Sequence, residues 1–370
     1  MYGRKILLTG TMPVTWTCPH SNAVLCLAVS TEGVVASGAE LGELTIWNEE
    51  GHPIGNIQLN GGEDVTSIAF SPVCATRLYV SHGENISVLD SRAFKEPVET
   101  FIINKEEVNC ISVNETDSLL AAADDSGSVK VLDLEKKKVT RSLHRHTNIC
   151  SAVSFRPHWP HSLVSCGLDM QVLLWNVQKA RPLWITNLQH LSQDEEDTDY
   201  QQSPGQLFNP PLAHSLSVAA SGNTFCCGAE DGKIRVFQVT GTRFEEELFF
   251  KGHTQGVSQV HFLKEETQHF LISGGNDGKV CLWDTGKKTT QQKKQKQPKN
   301  HHLRKSNSVH AKAGSSGHKI SDVAESISAK LSIEHGEKIN WVSEASLQGS
   351  RSVLVADPTN CITVYQLGEM

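Results

Sequence analysis

Several architectures and chemistries are excluded by what this 370-residue chain lacks. No apolar run approaches the ~20 residues that a helix needs to cross a bilayer. The first fifteen residues carry Arg4 and Lys5 and then only Ile6-Leu7-Leu8 as an apolar core, too short for a secretory signal. The ten cysteines include no Cys-x-x-Cys pair, and most lie inside apolar runs such as Val24-Leu25-Cys26-Leu27 and Val280-Cys281-Leu282. They read as reduced core residues of an intracellular protein, nuclear or cytoplasmic, with no metal site expected. There is no Gly-x-Ser-x-Gly elbow and no Gly-x-x-x-x-Gly-Lys phosphate loop, so neither of those two catalytic frameworks is expected. Charged residues make up only 20% of the chain, below the roughly 25% of ordinary domains, which argues against disorder over most of its length. A net charge of −7 excludes a uniformly basic coat for nucleic acid, though not a local basic patch.

What is present is a repeat. Ser165-Cys-Gly-Leu-Asp169 leads to Trp175-Asn, and Ser273-Gly-Gly-Asn-Asp277 leads to Trp283-Asp, with the same spacing in both. Asp169 and Asp277 each fall in a tight turn between two short apolar strands. A histidine precedes each serine by about one more strand: His146 before Ser165 and His253 before Ser273. Weaker copies of the strand ending place a large apolar residue at 47, 89, 132, 175, 237, 283 and 365, with successive gaps of 42, 43, 43, 62, 46 and 82. Each unit of about 43 residues has room for four short strands. Such a sheet cannot bury both faces alone, and stacking sheets around an axis solves that problem. The expected fold is therefore all-β: one seven-bladed propeller over residues 12–367, with residues 1–11 as an extension. The last unit ends without a fourth strand, and Pro13-Val14-Thr15-Trp16-Thr17 alternates like one. That segment is expected to close the ring.

The two long gaps mark insertions. Residues 189–211 contain Asp194-Glu195-Glu196-Asp197 and Asp199 with no Lys or Arg. Residues 286–319 contain ten Lys or Arg and no Asp or Glu. Neither has strand periodicity, and both read as exposed disordered loops. Beyond the second, Ser321 to Leu331 carries Val323, Ile327 and Leu331 four apart, with Asp322 and Glu325 as a capping box, and is expected to form a short helix.

These features resemble the WD-repeat proteins. Gly252-His253, Asp277-Gly278 and Trp283-Asp284 carry the strongest match, and the resemblance extends over residues 13–367 outside the insertions. In that family the His, Ser, Asp and Trp of a blade form a buried hydrogen-bonded tetrad. The resemblance implies structural tetrads His146–Ser165–Asp169–Trp175 in blade 4 and His253–Ser273–Asp277–Trp283 in blade 6. The other blades depart from the pattern. Leu41, Ser126 and Thr359 stand at the turn-Asp position in blades 1, 3 and 7, and blade 5 keeps Asp231 but has Cys227 and Phe237 for Ser and Trp. Those blades are expected to rest on apolar packing. A Ser/His/Asp set that recurs beside a Trp is structural, whereas a catalytic site is normally unique, so a non-enzymatic, monomeric interaction scaffold without cofactors is expected. The paired acids Asp124-Asp125 and Glu106-Glu107 read as solvated turns.

One motif implies a partner. Some WD-repeat proteins are substrate receptors of cullin 4 ubiquitin ligases and dock on the large damaged-DNA-binding adaptor subunit through a strand end reading Trp-Asp-x-Arg. Ser87-Val88-Leu89-Asp90-Ser91-Arg92 fits, with Leu89 in place of Trp. The resemblance thus implies adaptor binding by Leu89, Asp90 and Arg92, with an unidentified client protein elsewhere on the ring. Arg92 supplies a planar guanidinium suited to carbonyls or carboxylates. The bland alternative is a solvated rim arginine. Lys287, Lys288, Lys293, Lys294, Lys296, Lys299, Arg304 and Lys305 form a second charged feature. Without residues 286–319, 24 basic residues face 41 acidic ones, a balance of −17. The basic segment reads as an inert linker, a nuclear localisation signal, or a tether for nucleic acid in a chromatin-associated protein. No aromatics interleave its lysines, which disfavours base stacking.

Overall fold

A computed structural model describes residues 6–8, 12–17, 19–179, 181–193, 209–264, 269–286 and 327–369. It is a seven-bladed β-propeller, with seven antiparallel sheets in sequence order. Blade 1 shows the common plan: Val24–Val29 innermost, then Val35–Ala39, Glu43–Trp47 and Pro53–Gln58 outermost. Blades 2 to 6 repeat it over residues 65–102, 108–144, 150–187, 213–251 and 257–334.

The count of seven has a packing reason. The apolar core divides into seven clusters, each drawn mainly from two adjacent blades. Trp175, Leu163 and Leu173 of blade 4 meet Val129, Val131 and Leu143 of blade 3. Phe225, Phe237 and Phe244 of blade 5 meet Val164, Val172 and Leu174 of blade 4. The second and third strands are buried on both faces, so they read as near-continuous apolar runs, such as Val172-Leu173-Leu174-Trp175. Only the outer strands, such as Lys138–His144, are largely exposed.

The ring closes as expected. Blade 7 contains Trp341–Leu347, Ser350–Ala356 and Ile362–Glu369, and Val14–Trp16 pairs antiparallel with the last of these, Val14 opposite Val364 and Trp16 opposite Ile362. Ile6–Leu8, within the stretch expected to be an extension, pairs further along the same strand, Leu8 opposite Leu367. Trp16 is 4% exposed and stacks on Trp47 of blade 1 with ring centroids 5.6 Å apart. Gly51 permits this. Its φ of 79° suits glycine, and a Cβ there would lie 2.2 Å from Trp16 Nε1.

The insertions join opposite faces. Antiparallel pairing places the inner-to-second and third-to-outer turns on one face, and the second-to-third turns and blade-to-blade connections on the other. The basic insertion leaves the third strand of blade 6 after Asp284, on the first face. The acidic one lies in the connection from blade 4 to blade 5, on the second. Its opening residues are ordered: Leu188–Gln193 form a helix, anchored by the buried Leu188. Residues 194–208 and 287–319 lie outside the described residues, and with them all eight basic positions named above. Of the helix expected over Ser321 to Leu331, residues 321–326 lie outside the described residues, and the described remainder is not helical. Leu331–Glu334 is the outer strand of blade 6, and Ile327 and Ala329 pack on the blade 5–6 core without helical structure. Pairing with Lys279–Leu282 outweighs the local four-residue spacing.

Replacing Trp16 by Ala should cost about 3–5 kcal/mol of stability, whereas Met12→Ala, at an 85% exposed position, should change it by less than about 0.5 kcal/mol. Urea unfolding of the two variants checks this.

Candidate functional site

Two kinds of polar constellation occupy the propeller's two faces. The first is the set of buried clamps where second-to-third turns meet the connections between blades. In blade 6, Trp283 Nε1–H donates to Ser273 Oγ at 2.8 Å, Ser273 and His253 Nε2 are 2.7 Å apart, and His253 Nδ1 and Asp277 Oδ1 are 2.9 Å apart. Blade 4 repeats this with Trp175, Ser165, His146 and Asp169, all three separations being 2.9 Å. Each chain runs one way. The indole donates to the hydroxyl, the hydroxyl to Nε2 and Nδ1–H to the carboxylate, which assigns a neutral imidazole. The second carboxylate oxygen accepts the amide of the residue after the histidine, Thr254 at 2.8 Å or Thr147 at 3.0 Å. Ser165 and Ser273 are fully buried, so neither hydroxyl faces a substrate.

Charge supports this assignment. Burial lowers the His253 pKa against the pull of Asp277. Burial pushes the Asp277 carboxyl up, but the Thr254 amide and His253 outweigh it and hold it below its usual range.

Clamps also exist where apolar packing alone was expected, which corrects the reading of blades 1, 3 and 7. In blade 1, Trp47 Nε1–H donates to Ser37 Oγ at 2.7 Å, His20 Nε2 lies 2.6 Å from the same oxygen, and Glu43 Oε2 is 3.3 Å from His20 Nδ1. Glu43, on the strand, replaces the turn aspartate, and Leu41 takes the left-handed turn position with φ 58°. In blade 7, His335 bonds Asp357 at 2.7 Å and the Tyr365 hydroxyl at 2.8 Å. Asp357, not Thr359, is the turn carboxylate. In blade 3 Asp124 takes that role in place of Ser126, accepting Asn104 Nδ2–H at 2.7 Å. Blade 5 adds to its aromatic packing an ion pair, Arg235 Nη2–H to Asp231 at 2.6 Å, with Arg235 1% exposed. The signal for blade 1 was legible: Ser37 precedes Trp47 by the same ten residues that separate Ser165 from Trp175 and Ser273 from Trp283.

The second constellation lies on the opposite face. Leu89 is buried at 1% exposure near the end of the strand Asn85–Asp90. Asp90 Oδ1 accepts the Arg92 amide and Nε–H, both at 3.0 Å, and Oδ2 accepts Nη2–H at 2.6 Å. These Arg92 bonds hold the Asp90 carboxyl down to about 2. The Arg92 side chain is 73% exposed, and the fork consumes two of its five N–H donors. Ile54, Val73 and Val98 are exposed on the same edge of blades 1 and 2. Phe94, in the same turn as Arg92, leans on Gly55 of blade 1. Behind the turn, Asp117 of blade 3 receives Arg77 Nη1–H at 3.2 Å and the Tyr79 hydroxyl at 3.0 Å.

Among the described residues, no group of three His, Cys, Asp or Glu is placed to hold a metal, the nine described cysteines are free, and no helix is long and apolar enough to cross a membrane.

Seven antiparallel sheets in a closed ring, with a Trp–Ser–His–Asp clamp in two of them, make a seven-bladed β-propeller that carries repeats of the WD type. The profile of the WD domain, G-beta repeat, matches residues 95–133, 137–176 and 244–284. The chain is 27% identical over 366 residues to the WD repeat-containing protein 53 homolog of Dictyostelium discoideum, spanning 94% of this chain and 92% of that one. It is 24% identical to the periodic tryptophan protein 2 homolog of the same organism and 23% identical to the nuclear distribution protein PAC1 of Komagataella phaffii, covering 28% and 50% of their lengths.

The buried histidines make stability pH-dependent. Burial lowers the pKa of His20, His82 and His253 and takes His261 from 6.5 to about 4. Unfolded chains bind these protons first, so stability from this source is full above pH 6.5 and is lost as pH falls toward 4. Glu107 and Glu344, held above their usual range by burial, work in the opposite direction. Single substitution isolates the effect. Between pH 7 and 5, wild type should lose about 1–2 kcal/mol more than His261→Leu, measured by urea titration at both pH values.

Proposed function

We propose that this WD-repeat interaction scaffold is non-enzymatic and works as a substrate receptor of a cullin 4 ubiquitin ligase. It docks on the large damaged-DNA-binding adaptor subunit through the edge around Arg92. The observation that carries the reading is the Asp90–Arg92 fork, a pre-oriented guanidinium with three donors left, beside the exposed apolar residues Ile54, Val73 and Val98. An arginine fixed beside apolar contacts has the composition of an interface hot spot, because little side-chain entropy remains to be lost on binding. Leu89 holds the strand end from below, and Asp90 sets the guanidinium plane. The ring would then keep a client near a ubiquitin-loaded enzyme and raise its effective concentration. The free, largely buried cysteines suit a reducing intracellular setting.

A pull-down with the purified adaptor subunit tests this. Arg92→Ala should lower recovery about tenfold, and Arg92→Lys should not restore it, since an ammonium cannot reproduce the fork. Lys136→Ala, at a neighbouring exposed turn, should leave recovery unchanged. Equal recovery with wild type and Arg92→Ala overturns the reading.

A further inference from the structure

We propose that the third-to-outer turns of blades 4 and 5 form a docking cleft for an acidic peptide segment of a partner protein. An open cleft of ≈ 600 Å³ lies there, lined by Lys179, Arg181, Pro182, Leu183 and Thr242. Arg243 borders it, its guanidinium 5.0 Å from the centre of the Trp184 ring.

Other cations on this face are neutralised within their own blade. In blades 2, 3 and 6 the third strand ends in an aspartate that neutralises a cation of its own turn. Asp90 pairs with Arg92 at 2.6 Å, Asp133 with Lys136 at 2.8 Å and Asp284 with Lys330 at 3.5 Å. Blades 4 and 5 carry Asn176 and Gln238 at that register. Lys179, Arg181 and Arg243 are exposed, and among the described residues none lies within ion-pair distance of a carboxylate. Three cations thus remain without counter-charge around a wall supplied by Pro182 and Leu183. That combination suits carboxylates flanking an apolar side chain, with the two arginines able to take them in two-pronged bonds.

Nucleic acid fits less well. None of the residues lining the cleft is aromatic, and one face of the nearby Trp184 is covered by Arg243, which takes up a platform that a base would need. The net charge of −7 also repels a long polyanion more than a short acidic segment.

The test uses the full chain and a fluorescein-labelled twelve-residue peptide of Asp, Glu and Leu, read by fluorescence anisotropy. Arg181→Glu with Arg243→Glu should weaken binding about tenfold, and the affinity should fall as salt rises from about 50 to 200 mM. Lys179→Glu, at an exposed turn position, provides a second variant and should also weaken binding. Arg92→Ala should bind as wild type, which separates this cleft from the adaptor edge. The proposal is overturned by unchanged affinity in the charge-reversed variants, or by equal binding of the peptide with Asn and Gln in place of the acids. It is also overturned by tighter binding of a labelled twelve-nucleotide single-stranded RNA that the same variants abolish. Peptide binding seen only in a chain lacking residues 194–208 would assign the cleft to the protein's own acidic segment, and likewise overturns it.

Discussion

A ring of stacked sheets is stable only if its first and last members are fastened together, because an open end would leave two apolar sheet faces in water. Here the fastening is two short segments, Ile6–Leu8 and Val14–Trp16, on the last strand. Val14–Trp16 completes blade 7 from the opposite end of the chain, and Trp16 then reaches across to stack on Trp47 of blade 1. The seam is reinforced by Thr359 C=O accepting Val24 N–H at 3.0 Å and by Asn340 and Asn360 side-chain amides donating to Val24 and His20 carbonyls at 2.9 Å. Hydrogen bonds therefore cross the closure on the clamp face, beside the apolar cluster that joins blades 7 and 1. The other six interfaces join blades that follow directly in sequence, so only this one needs a long-range strand exchange.

Within each blade the recurring problem is different. The turn and the incoming connection bring buried polar groups together, and an unsatisfied one costs about 1–3 kcal/mol. Blades 4 and 6 solve this with an uninterrupted donor chain from indole to carboxylate. Blade 1 uses a glutamate placed two residues after the turn position, Glu43. Blade 7 has a turn of the same length, but its carboxylate stands two residues earlier, so Asp357 rather than Thr359 meets His335, and the Tyr365 hydroxyl does the work of the serine. Blade 5 abandons the histidine for an arginine–aspartate pair. The shared constraint is satisfaction of the buried groups, and the position of the carboxylate around the turn varies from blade to blade.

That distinction explains what could be read from the chain. The number of blades was legible because the third-strand residue is large and apolar whether it is Trp47, Leu89, Leu132, Trp175, Phe237, Trp283 or Tyr365, and packing asks no more of it. The closing strand was legible because Val14-Thr15-Trp16 alternates and blade 7 lacked a partner. The clamps of blades 1, 3 and 7 were missed because counting back a fixed distance from the apolar residue lands on Leu41, Ser126 and Thr359, while the carboxylates sit nearby at Glu43, Asp124 and Asp357. The four-residue apolar spacing gives no helix over residues 327–331, where Leu331 already pairs as a strand with Leu282. At the rim, Arg92 and Asp90 were legible together as a motif, but the apolar residues Ile54, Val73 and Val98 come from three separate segments.

The two faces consequently have different freedom to vary. On the face of the clamps, turn residues are bound into buried networks, so substitutions there act on folding. On the other face the third-to-outer turns touch the core through single apolar residues such as Phe94, Leu134 and Leu183, and their charge is set locally by whether Asp stands at the end of the third strand. Where it does, at Asp90, Asp133 and Asp284, a cation is held and oriented by its own blade. Where it ends in Asn176 or Gln238, the cations are left to solvent or to another molecule. Changing one carboxylate to an amide alters the turn's charge by one unit and its backbone hardly at all, as Asn176 shows by still accepting the Gln178 amide at 2.9 Å. Recognition on this face is thus adjustable one side chain at a time, without disturbing the seven interfaces that hold the ring.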